Sequence, residues 1–285
     1  MAKRVVILGL VSGGVDSTTA ALHAKHEYCG EGVECYAYAL TLSYGQRHSR
    51  EIESARRFAE RYGFKHLVVE IRGLSGSEVI GLGVSALTDK SIEVPETLEP
   101  GKVPVTYVPQ RNLVLLAHAA SILEMLLVAH DAELGVLSVG FHRSDWSMDE
   151  PVYPDTRREF VDALELAVNL GSGRVFEGKS LVRIHAPFVD KPKWFIIRWG
   201  VEHGMDYSLT WSCYRGGEKP CGRCPACKSR LRAFMAAGVE DPLTPLYETL
   251  PDWYKEWLEN RERCSKGDRS ACKVAEELSA RERRR

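Results

Sequence analysis

The chain has 285 residues, 44% hydrophobic and 27% charged, an ordinary globular composition with length enough for a full core and a smaller appended unit. Thirty-eight basic and thirty-nine acidic residues leave a net charge of −1, so no global positive field draws nucleic acid or an anionic membrane to it. Only five side-chain amides occur, Gln46, Gln110, Asn112, Asn169 and Asn260, a depletion expected of adaptation to high temperature.

Apolar runs predict strands over residues 4–10, 34–42, 65–71 and 134–140, with helices over 17–28, 48–62 and 112–130 between them. The first run follows Lys3 and Arg4 and has the outline of a short signal segment. A glycine loop follows it directly, so a buried parallel strand and a cytoplasmic location are the expectation. The alternation predicts an α/β fold with a doubly wound, mainly parallel, Rossmann-like sheet. Residues 113–129 are apolar but interrupted by His118, Ser121 and Glu124, which suits a buried helix rather than a membrane span. Residues 73–108, rich in Gly, Pro, Ser and Thr, are expected to cover a site. Further on come a helix near 157–170, a strand within 180–188, a helix near 193–203, and a cysteine-rich segment. In the tail, Trp253, Tyr254 and Trp257 are expected along one side of a helix, and the arginines at 281–285 are expected to form a solvated tip, with a local nucleic-acid or subunit contact as the alternative. These shifts divide the chain into an α/β unit at 1–180, a helical, metal-binding unit at 181–240 and a helical extension at 241–285.

Val11-Ser12-Gly13-Gly14-Val15-Asp16-Ser17-Thr18-Thr19 lies between the first strand and the first helix, where free amides and a positive dipole end are offered. Paired glycines let the backbone approach a phosphate, and Ser12, Ser17 and Thr18 add hydroxyl donors. The loop has neither the Gly-Lys-Ser/Thr of a Walker motif nor the dinucleotide Gly-x-Gly-x-x-Gly. It resembles the pyrophosphate loop of the adenine-nucleotide alpha-hydrolase superfamily, which implies cleavage of ATP to AMP and pyrophosphate. Residues 11–19 are then the ATP-binding candidates, and Asp16 would help hold Mg²⁺.

Cys213, Cys221, Cys224 and Cys227 have the spacing C-x7-C-x2-C-x2-C, which suits a structural Zn²⁺ with four thiolates. Lys219, Arg223, Lys228 and Arg230 stand near enough to offset thiolate charge. An iron–sulfur cluster and disulfides are the alternatives. Cys29, Cys35, Cys264 and Cys272 are expected to be plain thiols.

Further strings fall in order between these two features: Tyr44-Gly45-Gln46-Arg47-His48 with Glu51, Val108-Pro109-Gln110-Arg111-Asn112, Val139-Gly140 with His142 and Asp145, Tyr153-Pro154-Asp155, and Thr210-Trp211-Ser212-Cys213-Tyr214. Together they resemble the 7-cyano-7-deazaguanine synthase (QueC) family over roughly residues 3–234. The resemblance implies conversion of 7-carboxy-7-deazaguanine, free ammonium and ATP into the nitrile preQ0, for queuosine or archaeosine biosynthesis, by a homodimer with no direct nucleic-acid or membrane partner. Arg47, Arg111 and Lys193 are candidates to neutralise phosphate or carboxylate charge beside Asp16 and Ser17. Gln46, Asn112, Asp145 and Asp155 are candidates to read the base edge, with Tyr44 or Trp146 stacking on its face and His48 binding or orienting. Thr156 stands where many family members carry a cysteine, and the tail from Asp241 passes the usual family end. A tRNA-modifying adenylating enzyme, a modifier that transfers the deazaguanine to a macromolecule, and a zinc-stabilised nucleic-acid-binding protein are the competing readings.

Overall fold

Val5, Val6, Ile7 and Leu8 form an unbroken apolar run because the strand they build is covered on both faces. The structure, a computed structural model, describes residues 2–43, 49–71, 85–86, 92–93, 95–147 and 149–284. Strand β1 (Lys3–Leu10) pairs in parallel with β2 (Val33–Ser43) on one side and β4 (Leu134–Ser138) on the other. Outside these, β3 (Lys65–Glu70) joins β2 and β5 (Leu181–His185) joins β4, giving the parallel order β3-β2-β1-β4-β5. The sheet thus continues past residue 180, the limit expected for the α/β unit, because β5 pairs with β4.

Alternate residues of β1 face opposite layers. Val5 and Ile7 pack with α1 (Val15–Tyr28), α2 (Ser49–Tyr62), α6 (Lys193–Glu202) and α7 (Pro225–Ala237). Val6 and Leu8 pack with α3 (Arg111–His130) and α4 (Arg158–Gly171), which the short α5 (Gly173–Phe176) follows. Helix α3 is long and apolar enough to cross a membrane by composition, yet Leu116, Leu123 and Leu127 insert into the core beside the sheet. It departs from the expected buried helix in one respect: Met125 and Val128 on its outer face are each 60% exposed.

Two expectations are corrected. Cys29 is disulfide-bonded to Cys35, and Cys264 to Cys272, because the turns between α1 and β2 and between α8 (Asp252–Ser265) and α9 (Arg269–Arg284) bring each pair together. The tail, whose end is expected as a solvated tip, is a docked hairpin. Tyr254 and Trp257 of α8 are buried against Leu231 and Met235 of α7 and Ala275 of α9, and the Trp257 indole donates to Ser279 Oγ at 2.9 Å. Near the arginine-rich end, Arg283 donates to the Ala236 carbonyl, so that side chain is tied down as well.

Candidate active site

The chain leaves β1 toward β2 and returns from edge strand β3 to β4 on β1's other side, so a crevice opens beyond the carboxyl ends of β1 and β4. Two loops meet there. Gly13 has φ +86°, and a Cβ at that position would overlap the Glu51 carbonyl, so only glycine fits. Gly140, after β4, lies so near the start of α1 that an added Cβ would stand 2.5 Å from Ser17 N. The segment before the cysteines docks here too, with Trp211 N–H donating to Gly13 O at 2.9 Å.

The cleft enclosed by these segments has a volume of about 900 Å³ and is lined by Ser12, Gly14, Asp16, Glu51, His142, Asp145, Tyr153, Lys193, Trp211 and Tyr214. Gly14 caps α1 without a side-chain hydrogen bond, so no side chain competes for the helix's leading amides. Ser12 and Ser17 hydroxyls lie 3.0 Å apart at the loop's base. Thr18 and Thr19 differ from expectation. Thr18 Oγ1 donates to Gly14 O at 2.8 Å and Thr19 Oγ1 to Val15 O at 2.7 Å, and both residues are fully buried. Helical periodicity turns their hydroxyls inward, away from any phosphate. Val11 and Val15 are likewise core residues.

Lys193, the first residue of α6, places Nζ 2.6 Å from Asp16 Oδ2. His142 Nε2 lies 3.7 Å from Asp16 Oδ1 and 3.4 Å from Asp145 Oδ1. Burial opposes ionisation of Asp16, but the Lys193 ammonium and His142 outweigh it and hold the carboxyl well below the usual carboxylate range. At Asp145 burial prevails over His142 and Lys193, and its carboxyl is raised. Asp16 Oδ1 is buried without a hydrogen-bond partner among the described residues, the kind of oxygen that a hard divalent cation takes up.

Glu51, whose string is legible but whose role is not, sits where α2 crosses the glycine loop. Burial pushes its carboxyl from 4.5 up to about 7, against the pull of Arg111. The native state therefore binds the proton more tightly than the unfolded chain, and stability falls as pH rises from about 4.5 to about 7. Glu51→Gln should remove that decline. Thermal unfolding of the two proteins should diverge across this window and run parallel above it; a constant difference from pH 4 to 8 would contradict the burial of Glu51.

The remaining candidates divide. Asp145 lines the cleft, whereas Arg111, Asn112 and Asp155 are not among its described lining residues, although Arg111 acts on the cleft-lining Glu51. Asn112 N–H donates to Asp155 Oδ2 at 3.3 Å, and the Asn112 amide donates to the Asp155 carbonyl at 3.4 Å. These contacts brace α3 against the 154–156 turn, and Asp155 Oδ1 is buried without a hydrogen-bond partner among the described residues. Trp146 is engaged as well, its indole donating to Val189 O at 3.0 Å. Tyr153, Trp211 and Tyr214 supply the aromatic walls, with the Tyr153 hydroxyl 2.7 Å from Thr106. Tyr44, Gln46, Arg47 and His48 lie outside the described residues, as does much of 73–108. From its described part, Glu96, Thr97, Leu98 and Pro100 border the cleft.

Beside the Trp211 wall, the sulfurs of Cys213, Cys221, Cys224 and Cys227 are buried and all lie within 4.8 Å of one another. A single tetrahedral ion with metal–sulfur bonds of about 2.3 Å needs sulfurs about 3.8 Å apart, close to the 4.0 Å between Cys221 and Cys227. A cluster with an iron behind each sulfur would hold them farther apart. Backbone N–H groups of Cys221, Arg223 and Cys224 point at sulfur, which favours thiolates. Arg230 does not serve as their expected counter-charge: its guanidinium is spent on Asp241, at 2.7 and 2.8 Å. Lys228 is spent on the Glu96 carbonyl. Cys224→Ser should lose the bound metal and much of the soluble yield; retention of a full metal equivalent by elemental analysis would contradict this assignment.

The family model for "Queuosine biosynthesis protein QueC" matches residues 5–238. A 7-cyano-7-deazaguanine synthase from Clostridium kluyveri is 42% identical over 244 residues, 85% of this chain and 97% of that protein. One from Thermoplasma acidophilum is 39% identical over 264 residues, 92% of this chain and 99% of that protein. Among solved structures, the U34-tRNA thiolase NcsA from Methanococcus maripaludis superposes with a TM-score of 0.35 and 16% identity, covering 72% of this chain and 57% of that one.

Proposed function

The chain belongs to the QueC family of queuosine biosynthesis proteins, and from that premise we propose that it converts 7-carboxy-7-deazaguanine and ammonia into 7-cyano-7-deazaguanine at the expense of ATP. The observation that carries the reading is the meeting of Asp16 and Lys193, 177 residues apart in sequence, at the mouth of a glycine loop.

A carboxylate resists ammonia because its oxygen is a poor leaving group. Transfer of AMP to that oxygen makes it a good one; ammonia adds, AMP departs, and an amide results. A second transfer to the amide oxygen, followed by loss of AMP and the nitrogen-bound protons, leaves the nitrile. In this chain the α1 amides and Lys193 face the developing pyrophosphate, where preorganised donors act on charge as it forms. Asp16 fixes Lys193 and presents a second oxygen to Mg²⁺, which when bound supplies further charge neutralisation. Tyr153, Trp211 and Tyr214 offer flat faces to a purine-like ring. Cys213, Cys221, Cys224 and Cys227 would hold a structural Zn²⁺, and the Trp211 segment they anchor donates to Gly13 O.

The cleft lining carries Arg143, Lys228, Arg232, Arg283 and Arg284 together with Glu96, Asp149, Glu150 and Glu282, a mixed set of charges. They make no continuous positive track of the kind a tRNA substrate would use. Incubation with 7-carboxy-7-deazaguanine, ammonium, Mg²⁺ and ATP should yield a product with the mass of the nitrile. Product formation only when a tRNA replaces the free base would favour the tRNA-modifying reading.

A further inference from the structure

Outside the nucleotide cleft, the second half of α1 meets the end of β5 in a group of rings that the proposed reaction does not use. His23 and Glu27, one turn apart, share a face of α1, and His185 is the last residue of β5. His23 Nδ1 lies 3.0 Å from His185 Nε2 and 3.5 Å from Glu27 Oε2, and the three donor atoms all lie within 4.8 Å of one another. Trp199, with its ring centre 4.6 Å away, and Phe188, edge-on at 5.4 Å, flank the His23 ring. His185 is 8% exposed, while the Glu27 side chain is 52% exposed at the entrance.

We propose that His23, Glu27 and His185 form a second metal site, for a divalent imidazole-preferring ion of the Zn²⁺ type, which clips α1 to β5 with water completing the shell. Donors about 2.0–2.2 Å from a tetrahedral zinc stand about 3.3–3.6 Å apart, so His23 Nδ1 is within a few tenths of an ångström of that spacing from both His185 Nε2 and Glu27 Oε2, and the His185–Glu27 spacing, within 4.8 Å, is set by the exposed Glu27 side chain. A hydrogen bond between the two imidazoles and the contact of Glu27 with His23 account for the pairs singly, whereas one ion joins all three donors. Two ring nitrogens and one carboxylate select against Mg²⁺ and Ca²⁺, which take oxygen shells. Burial also lowers the proton affinity of both rings, that of His185 to about 4, which leaves the nitrogen lone pairs available at neutral pH. His26 and His203, ring centres 5.0 Å apart beside Trp199, stand outside this donor set.

The site does not depend on the catalytic reading, and its test needs no substrate. Full-length protein with its four-cysteine site loaded is dialysed against Zn²⁺ and, separately, Co²⁺, and the bound metal is counted. One equivalent beyond that held by the cysteines is expected, and the additional cobalt should show weak ligand-field bands without thiolate charge transfer. His23→Ala and His185→Ala should abolish the second equivalent, Glu27→Gln should weaken it at least about tenfold, and His26→Ala should leave it unchanged. If His185→Ala fails to fold, the exposed Glu27→Gln decides. No second equivalent in the wild type, a second equivalent indifferent to Glu27→Gln, or one lost with His26→Ala would overturn the proposal.

Discussion

Asp16→Asn is expected to reduce substrate-dependent AMP release by about 10²–10³-fold, since removal of one preorganised charge from a reaction site costs about that much, and to lower the unfolding temperature as well, because the pairing that holds the Asp16 carboxyl below the usual range is lost. The substitution keeps the side-chain volume but removes the carboxylate that holds Lys193 Nζ at 2.6 Å and offers its other oxygen to a cation. Lys193→Ala is expected to cost a similar factor by a different route. Without the ammonium, Asp16 loses the nearest charge that offsets its burial, and its carboxyl titrates higher. The two substitutions act on one unit, so the double variant should be little slower than either single one. Turnover within tenfold of the parent in Asp16→Asn, or full additivity in the double variant, would contradict the pairing.

The second large effect lies in the core. Arg230 is 1% exposed and Asp241 fully buried; their bidentate contact is completed by Thr210 Oγ1 at 2.7 Å and the Tyr207 carbonyl at 3.1 Å on the arginine side, and by the Tyr247 hydroxyl at 3.0 Å on the aspartate side. Arg230→Met should lower unfolding stability by about 3–5 kcal/mol, because it strands a buried carboxylate. Replacing both partners, Arg230→Met with Asp241→Leu, should recover part of the loss, since no charge is then left unpaired. Denaturant titration of the parent, single and double variants measures the coupling; equal losses in the single and double variants would show that the contact is not a functional pair. The affected segment also carries Trp211, whose N–H holds Gly13 O, so a raised KM for ATP should accompany Arg230→Met.

How far the sequence reaches depends on whether a feature is local. The β1 run and glycine loop are local, and their chemistry shows in adjacent residues. Thr18 and Thr19 mislead because composition registers a hydroxyl while helical geometry decides where it points, here to carbonyls four residues back. Lys193 stands out as a cation, but its partner becomes visible only once the parallel sheet brings α6 beside α1. The retained amides show the same limit: Asn112 braces Asp155, and Asn169 ties α4 to β5 by giving and accepting bonds at Val182, contacts that composition alone does not show. The disulfides were equally illegible, since spacing alone does not reveal that two turns close on themselves. In the tail, Tyr254 and Trp257 advertise an apolar side, but its cover is distant in sequence, Leu231 and Met235 of α7, together with Ala275 and Ser279 of α9, small residues with little hydrophobic signal of their own.

The most direct measurement of the central claim is the number of nucleotides consumed per nitrile formed, counted as AMP and ADP in one reaction with 7-carboxy-7-deazaguanine and ammonium. A single cradle that activates first the acid and then the amide predicts two AMP per nitrile, one AMP per molecule when the amide is supplied instead, and no ADP. ADP as the nucleotide product, or the same AMP yield from acid and amide, would contradict two successive adenylations at the Asp16 and Lys193 site.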